Sequence, residues 1–135
     1  MTAIVPGTER DGGPSDLNLV YDSWLRSYRK SQPEMRDTDY YAFQRRRIDR
    51  LLRGPGYVRI IHPTGAPSVI AAWACLDVAP AVAHYVYVQQ EYRRRGFARQ
   101  LLLGRGVVTH LTEGGKLLKS LMELRYLPHL LDGPL

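Results

Sequence analysis

The chain has a single cysteine, Cys75, in 135 residues. A lone thiol excludes an internal disulfide and any zinc site built on paired cysteines, and it suits a reducing compartment. Cys75 stands in the apolar run of residues 69–76, where a buried core thiol is expected. No apolar run approaches the ~20 residues that a membrane-spanning helix needs. Residues 1–13 lack the basic-then-apolar layout of a secretory signal, so an intracellular, cytoplasmic protein is expected. Zinc-ligand spacing is missing, and no metal is expected. Also missing are the interleaved aromatics and glycines of an RNA-recognition motif. With no internal repeat and no dividing linker, residues 1–135 read as one domain.

Positive charge is what the chain has in excess. Nineteen Lys and Arg against 13 Asp and Glu leave +6, which favours an anionic partner. The stretch most informative about that partner is residues 84–103, HYVYVQQEYRRRGFARQLLL. It opens with strand alternation: Val82, His84, Val86 and Val88 would point one way, Ala83, Tyr85 and Tyr87 the other. Both sets are largely apolar, as in a strand covered on both faces. From Phe97 to Leu101 the spacing turns helical, so a helix should begin near Gly96.

Between strand and helix lie Arg93, Arg94, Arg95, Gly96, Phe97 and Ala98. Three arginines at a helix start oppose the macrodipole, which already puts partial positive charge there. They cost stability unless an anion binds. Free amides at a helix start, a glycine that lets backbone come close and several guanidiniums together make a phosphate cradle. The blander alternative is a solvated basic turn.

Arg93-x-x-Gly96-x-Ala98 after a valine-rich strand resembles the coenzyme A loop of the GCN5-related N-acetyltransferase (GNAT) superfamily, whose pattern is Gln/Arg-x-x-Gly-x-Gly/Ala. The preceding residues, from Val88 through Gln89, Gln90, Glu91 and Tyr92 to Arg93, resemble the stretch found just before that loop. Asp22-Ser23-Trp24, HYVYV, the arginine loop and Thr109-His110-Leu111-Thr112 also resemble small acetyltransferase-like proteins of phages and prophages.

The rest of the chain supplies an order of elements. Residues 2–5 suggest a short first strand and residues 8–14 a loop. Ser15 or Asp16 should cap a helix reaching about residue 30, with Leu17, Val20, Tyr21, Trp24, Leu25 and Tyr28 on one apolar stripe. Trp24 and Tyr28 read as core. A second helix over 38–53 should turn Tyr40, Tyr41, Ile48, Leu51 and Leu52 inward. Its other face carries Arg45, Arg46, Arg47, Arg50 and Arg53, relieved only by Asp49. That is either a solvated face or an attraction for an acidic or nucleic-acid partner. Strands follow at 57–62 and 68–78, joined to each other and to the His84 strand by short turns, which makes an antiparallel meander. The helix from Gly96 should stop at Gly104, Arg105 and Gly106. A strand at 107–111, parallel to the His84 strand, a helix at 112–125 and a strand at 126–131 complete the reading. The order β-α-α-β-β-β-α-β-α-β gives an α/β (α+β) fold, a mixed and mainly antiparallel sheet flanked by helices, and it resembles the GNAT order without a clear final strand.

The resemblance implies acetyl-coenzyme A as cofactor and an amine as acceptor. Amides of residues 94–98 (Arg94, Arg95, Gly96, Phe97, Ala98), beside Arg93, would hold the pyrophosphate. Backbone groups of Tyr87 and Val88 would meet the pantetheine arm and polarise the thioester carbonyl. The family's usual acid, a tyrosine within the last helix, is missing between Glu113 and Arg125, and Tyr126 is the nearest substitute. For the base, the candidates are His84, Glu91 and His110, although His84 on a buried strand equally suits a hydrogen-bonded core residue. Tyr85 and Tyr87 read as sheet-packing residues. Monomer and homodimer both remain open, as does a module that binds or modifies nucleic acid or a host protein without acetyl transfer.

Overall fold

In a computed structural model, residues 7–79 and 82–109 are described, with 31 and 125–126 described by backbone alone. Among these residues the sheet has six strands in the order β1-β2-β3-β4-β5-β6. They are β1 Gly7–Asp11, β2 Gly56–Pro63, β3 Ala72–Asp77, β4 Val82–Val88, β5 Val107–Val108 and β6 Arg125–Tyr126. The first four pair antiparallel, whereas β4–β5 and β5–β6 are parallel. The α-helices among the described residues are α1 Leu17–Tyr28, α2 Asp37–Arg53 and α3 Phe97–Leu101. No helix among the described residues is long and apolar enough to cross a membrane.

The first strand corrects a sequence expectation. Residues 8–14 read as loop, yet Gly7–Asp11 forms β1. Its sequence, GTERD, has no apolar alternation because β1 lies at the sheet edge and is held by charge. Arg59 on β2 reaches Glu9 at 2.9 Å and Asp11 at 2.8 Å. Gly7 permits close approach, since a Cβ there would stand 2.5 Å from Ile61 and 2.9 Å from Phe97. The strand expected at residues 2–5 lies outside the described residues.

Alternation along β3 divides the core in two. Trp73 and Cys75 face α1 and α2, packing with Val20, Trp24, Tyr28, Tyr40, Ile48 and Leu51. Ala72, Ala74 and Leu76 face α3, packing with Phe97, Leu101 and Leu102. The small alanines let so short a helix sit against the sheet. On the other face the packing is aromatic: Trp24 stacks on Tyr85 at 5.1 Å and tilts against Trp73 at 5.5 Å. Two serines of α1 supply polar partners, Ser23 accepting from Trp73 Nε1 at 2.8 Å and Ser27 bonding the Tyr85 hydroxyl.

Helix α2 buries Tyr40, Gln44, Ile48 and Leu51, a stripe at i, i+4, i+8 and i+11. Tyr41, expected to point inward, is 41% exposed because it lies about 100° around the helix from Tyr40. Gln44 takes the inward place that its polarity concealed. The other departures are in lengths. Residues 68–71 precede β3 instead of joining it, α3 stops at Leu101, and β5 covers only two of the expected five residues. Arg125 belongs to β6 and not to a helix end. The rest of the helix expected at 112–125, residues 112–124, falls outside the described residues.

Asp16 occupies the position before α1, but its carboxylate reaches backward, accepting from the Gly13 N–H at 2.7 Å and from Arg10 Nη1 at 2.8 Å. This pair ties β1 to the start of α1. The Arg10 hydrogen bonds hold the Asp16 carboxyl below its ordinary pKa, with desolvation opposing. A carboxyl depressed on folding stabilises above its unfolded pKa, and that contribution is lost as pH falls through the folded value. Asp16→Asn is expected to cost about 1–3 kcal/mol at pH 7. The gap from wild type should shrink below about pH 4, as followed by chemical denaturation across pH 2.5–7.

Candidate active site

The site is built where β4 leaves β5. Register between β3 and β4 steps from Cys75↔Tyr85 to Leu76↔Ala83, so His84 is the extra residue of a β-bulge. The bulge resets alternation. Ala83, expected beside Tyr85 and Tyr87, packs with Val86 and Val88 on the α3 face. Tyr85 and Tyr87 pack on the α1–α2 face, as expected of sheet-packing residues. On its other edge β4 meets β5 only at Val82↔Val107 and Ala83↔Val108. The Thr109 N–H then donates to Ala83 O at 3.2 Å. Beyond that level, among the described residues, Tyr85, Val86, Tyr87 and Val88 pair with β3 alone, leaving one backbone edge open.

That open edge runs into the arginine turn. After Val88 comes a single 3-10 turn, Gln90–Tyr92, and then the junction to α3. Arg94 has φ 66° and Gly96 φ 79°, so two left-handed residues stand one apart. A left-handed arginine costs about 1–2 kcal/mol. At Gly96 a Cβ would meet nothing within 4 Å, so the glycine answers to backbone conformation and not to crowding. The first amide to rejoin the helix is that of Gln100, donating to Gly96 O at 2.9 Å. The N–H groups of Phe97, Ala98 and Arg99 precede it, as at any helix start, and α3 has no side-chain cap.

The charge at this turn faces water. Arg93, Arg94 and Arg95 are exposed, while Phe97 is buried and anchors the turn to the core. Arg93 Nε donates to Val88 O at 3.1 Å, and the Arg95 guanidinium lies 5.3 Å from the Tyr92 ring centroid. Among the described residues no carboxylate pairs with any of the three. Exposed guanidiniums and the uncapped amides of a helix start thus lie together at this turn.

His84 is placed differently from a free base. It is fully buried, with Nε2 2.9 Å from Asp77 Oδ2 and Nδ1 2.9 Å from Thr109 Oγ1. The carboxylate only accepts, which puts the proton on Nε2 and leaves Nδ1 to accept from Thr109. Burial lowers the imidazole pKa, and the Asp77 hydrogen bond works against that effect. His84 is therefore neutral with both nitrogens engaged, and its one ring lone pair, on Nδ1, is taken up by Thr109. Asp77 and Thr109 were not found by sequence reading; an Asp and a Thr at strand ends carry no local signal. Glu91 lies exposed in the 3-10 turn. His110 lies outside the described residues. Tyr126 is on β6, in register with Val108, and only its backbone is described.

The geometry matches solved structures. A GCN5-related N-acetyltransferase from Ralstonia eutropha JMP134 superimposes with TM-score 0.60 at 19% identity, covering 87% of this chain and 91% of that one. The fold is the GNAT fold. A GCN5-related N-acetyltransferase from Rhodopseudomonas palustris (TM-score 0.50, 17% identity, 76% of this chain) and a possible acetyltransferase from Clostridium difficile 630 (0.50, 16%, 71%) also match. This chain spans 64% and 66% of the lengths of those two proteins. No family model and no curated protein matches the sequence.

Proposed function

We propose that this chain is an acetyl-coenzyme A-dependent N-acetyltransferase. The observation that carries the reading is a continuity. Among the described residues, the edge of residues 85–88 that β5 leaves unpaired leads directly into a turn whose arginines are exposed without carboxylate partners and whose helix start is uncapped. The site fits a ligand with an extended amide-bearing arm and a pyrophosphate at one end. Residues 94–98 would hold the pyrophosphate through their amides, with Arg93, Arg94 and Arg95 adding charge. The open backbone of Tyr87 and Val88 would pair with the arm. When bound, acetyl-coenzyme A supplies the acetyl thioester.

The chain's own part is positioning and polarisation. A backbone N–H near Val88, donating to the thioester carbonyl, would stabilise the charge that develops on its oxygen. Holding a neutral amine against that carbonyl supplies much of the rate, so a dedicated base is not obligatory. The proton that the amine loses and the one that the thiolate gains fall to Glu91, His110 or Tyr126. His84, with both nitrogens occupied, is left to structure.

A second reading has one observation in its favour. Arg45, Arg46, Arg50 and Arg53 are exposed along α2, and α2 and α3 cover opposite faces of the sheet. This second cluster is therefore no extension of the pyrophosphate site and would serve a separate anion: an acidic acceptor, a host-protein surface or a nucleic acid, as in a phage-type module.

Isothermal titration with acetyl-coenzyme A tests the first reading, and micromolar affinity is expected. Gly96→Glu should abolish binding by adding bulk and negative charge. Gly96→Ala should keep binding within severalfold, at about 1–2 kcal/mol of stability for the left-handed backbone. A folded wild-type protein that binds nothing overturns the reading. For the second, oligonucleotide affinity should fall steeply with salt. Replacing both Arg46 and Arg53 by Ala should reduce the log–log slope by about 2, whereas salt-insensitive binding excludes a nucleic-acid partner.

A further inference from the structure

The cluster of half-buried Asp77 with buried His84 and Thr109 has no place in the proposed chemistry, and its position in the sheet gives it another role. Each member comes from a different strand: Asp77 ends β3, His84 is the bulge of β4, and Thr109 follows β5. They meet at the level where β4 and β5 separate. Thr109 is the last described residue attached to β4, through its N–H to Ala83 O at 3.2 Å and its hydroxyl to His84 Nδ1 at 2.9 Å.

A parallel ladder of two residue pairs is too short to fix its own register. Side chains must do so. On the entry side of β5, Arg105 Nη1 lies 3.0–3.3 Å from the carbonyl oxygens of Asp77, Ala79 and Val82, and Nη2 donates to the Tyr57 hydroxyl at 3.0 Å. On the exit side stands the His84 cluster. A buried imidazole is costly unless both nitrogens are satisfied, and here they are satisfied by residues of the two flanking strands. Sliding β5 by one residue would break the Thr109 bond and strand Nδ1 without a partner.

We propose that Asp77, His84 and Thr109 form a positioning clamp that sets where β4 and β5 part, and so sets the affinity of the open edge for the cofactor. The clamp builds on the acetyl-coenzyme A reading above. Its members touch each other and not the reacting atoms, so they are positioning residues.

Thr109→Val keeps the side-chain shape and removes the hydroxyl, while Thr109→Ser keeps the hydroxyl. The two readouts are amide hydrogen exchange at Thr109 and acetyl-coenzyme A affinity by calorimetry. In Thr109→Val, exchange is expected to quicken and affinity to weaken, each about tenfold, as for one lost buried hydrogen bond. Thr109→Ser should stay within about twofold of wild type on both. Ile48→Val, in the core of the opposite face, controls for general destabilisation and should keep wild-type affinity. If Thr109→Val does not fold, Asp77→Asn, which weakens the Nε2 bond without changing volume, should shift both readouts the same way.

Unchanged affinity in a folded Thr109→Val protein overturns the inference, whether or not exchange quickens. Equal loss of affinity in Ile48→Val also overturns it, by showing that stability alone is responsible. Wild-type protein that binds no acetyl-coenzyme A overturns the cofactor reading and the affinity half of this inference. Exchange then still decides whether the clamp holds the strands.

Discussion

The parting of β4 from β5 is the constraint on which the rest of the structure depends. A parallel pair that continued along β4 would satisfy its backbone and leave no room for a ligand. Here, among the described residues, pairing with β5 ends at Ala83↔Val108, and beyond the bulge at His84 the rest of β4 pairs with β3 alone. An exposed strand edge is a liability unless something occupies it. This one ends in a turn rich in arginine, so the occupant proposed for it is extended at one end and anionic at the other.

The two halves of the core hold that edge from opposite sides. Trp24, Trp73 and Tyr85 form a rigid aromatic layer under α1 and α2, fixing the side of β4 that carries Tyr85 and Tyr87. Phe97 and Leu101 seat α3 on the alanine face and thereby bring the arginine turn against the end of β4. The same division separates the two basic clusters. Arg93, Arg94 and Arg95 lie by α3 at the strand end, and the arginines of α2 lie across the sheet.

Much of this was legible in the sequence, where local chemistry and tertiary environment agreed. The strand with its arginine turn, the antiparallel meander and the Val20, Trp24 and Tyr28 stripe of α1 carry period or turn signals that the fold obeys. Leu17, expected on that stripe, is instead exposed in the first turn of the helix. What escaped reading depends on contacts distant in sequence. GTERD becomes a strand because Arg59, some fifty residues on, neutralises it. Gln44 is buried and Tyr41 exposed because the stripe of α2 is set by where the helix meets the sheet. The phase of β4 depended on a bulge that no residue type announces. His84 was read as a candidate base by its chemistry, and only Asp77 and Thr109, 7 and 25 positions away, show both of its nitrogens taken.

The most direct test of the central claim is a map of where coenzyme A touches the chain. Backbone amide shifts followed by NMR during titration report on each residue separately. The account predicts that the largest changes fall at Tyr87, Val88 and residues 94–98, with α2 nearly silent. Changes concentrated on Arg45, Arg46, Arg50 and Arg53, with the β4 edge unmoved, would contradict it.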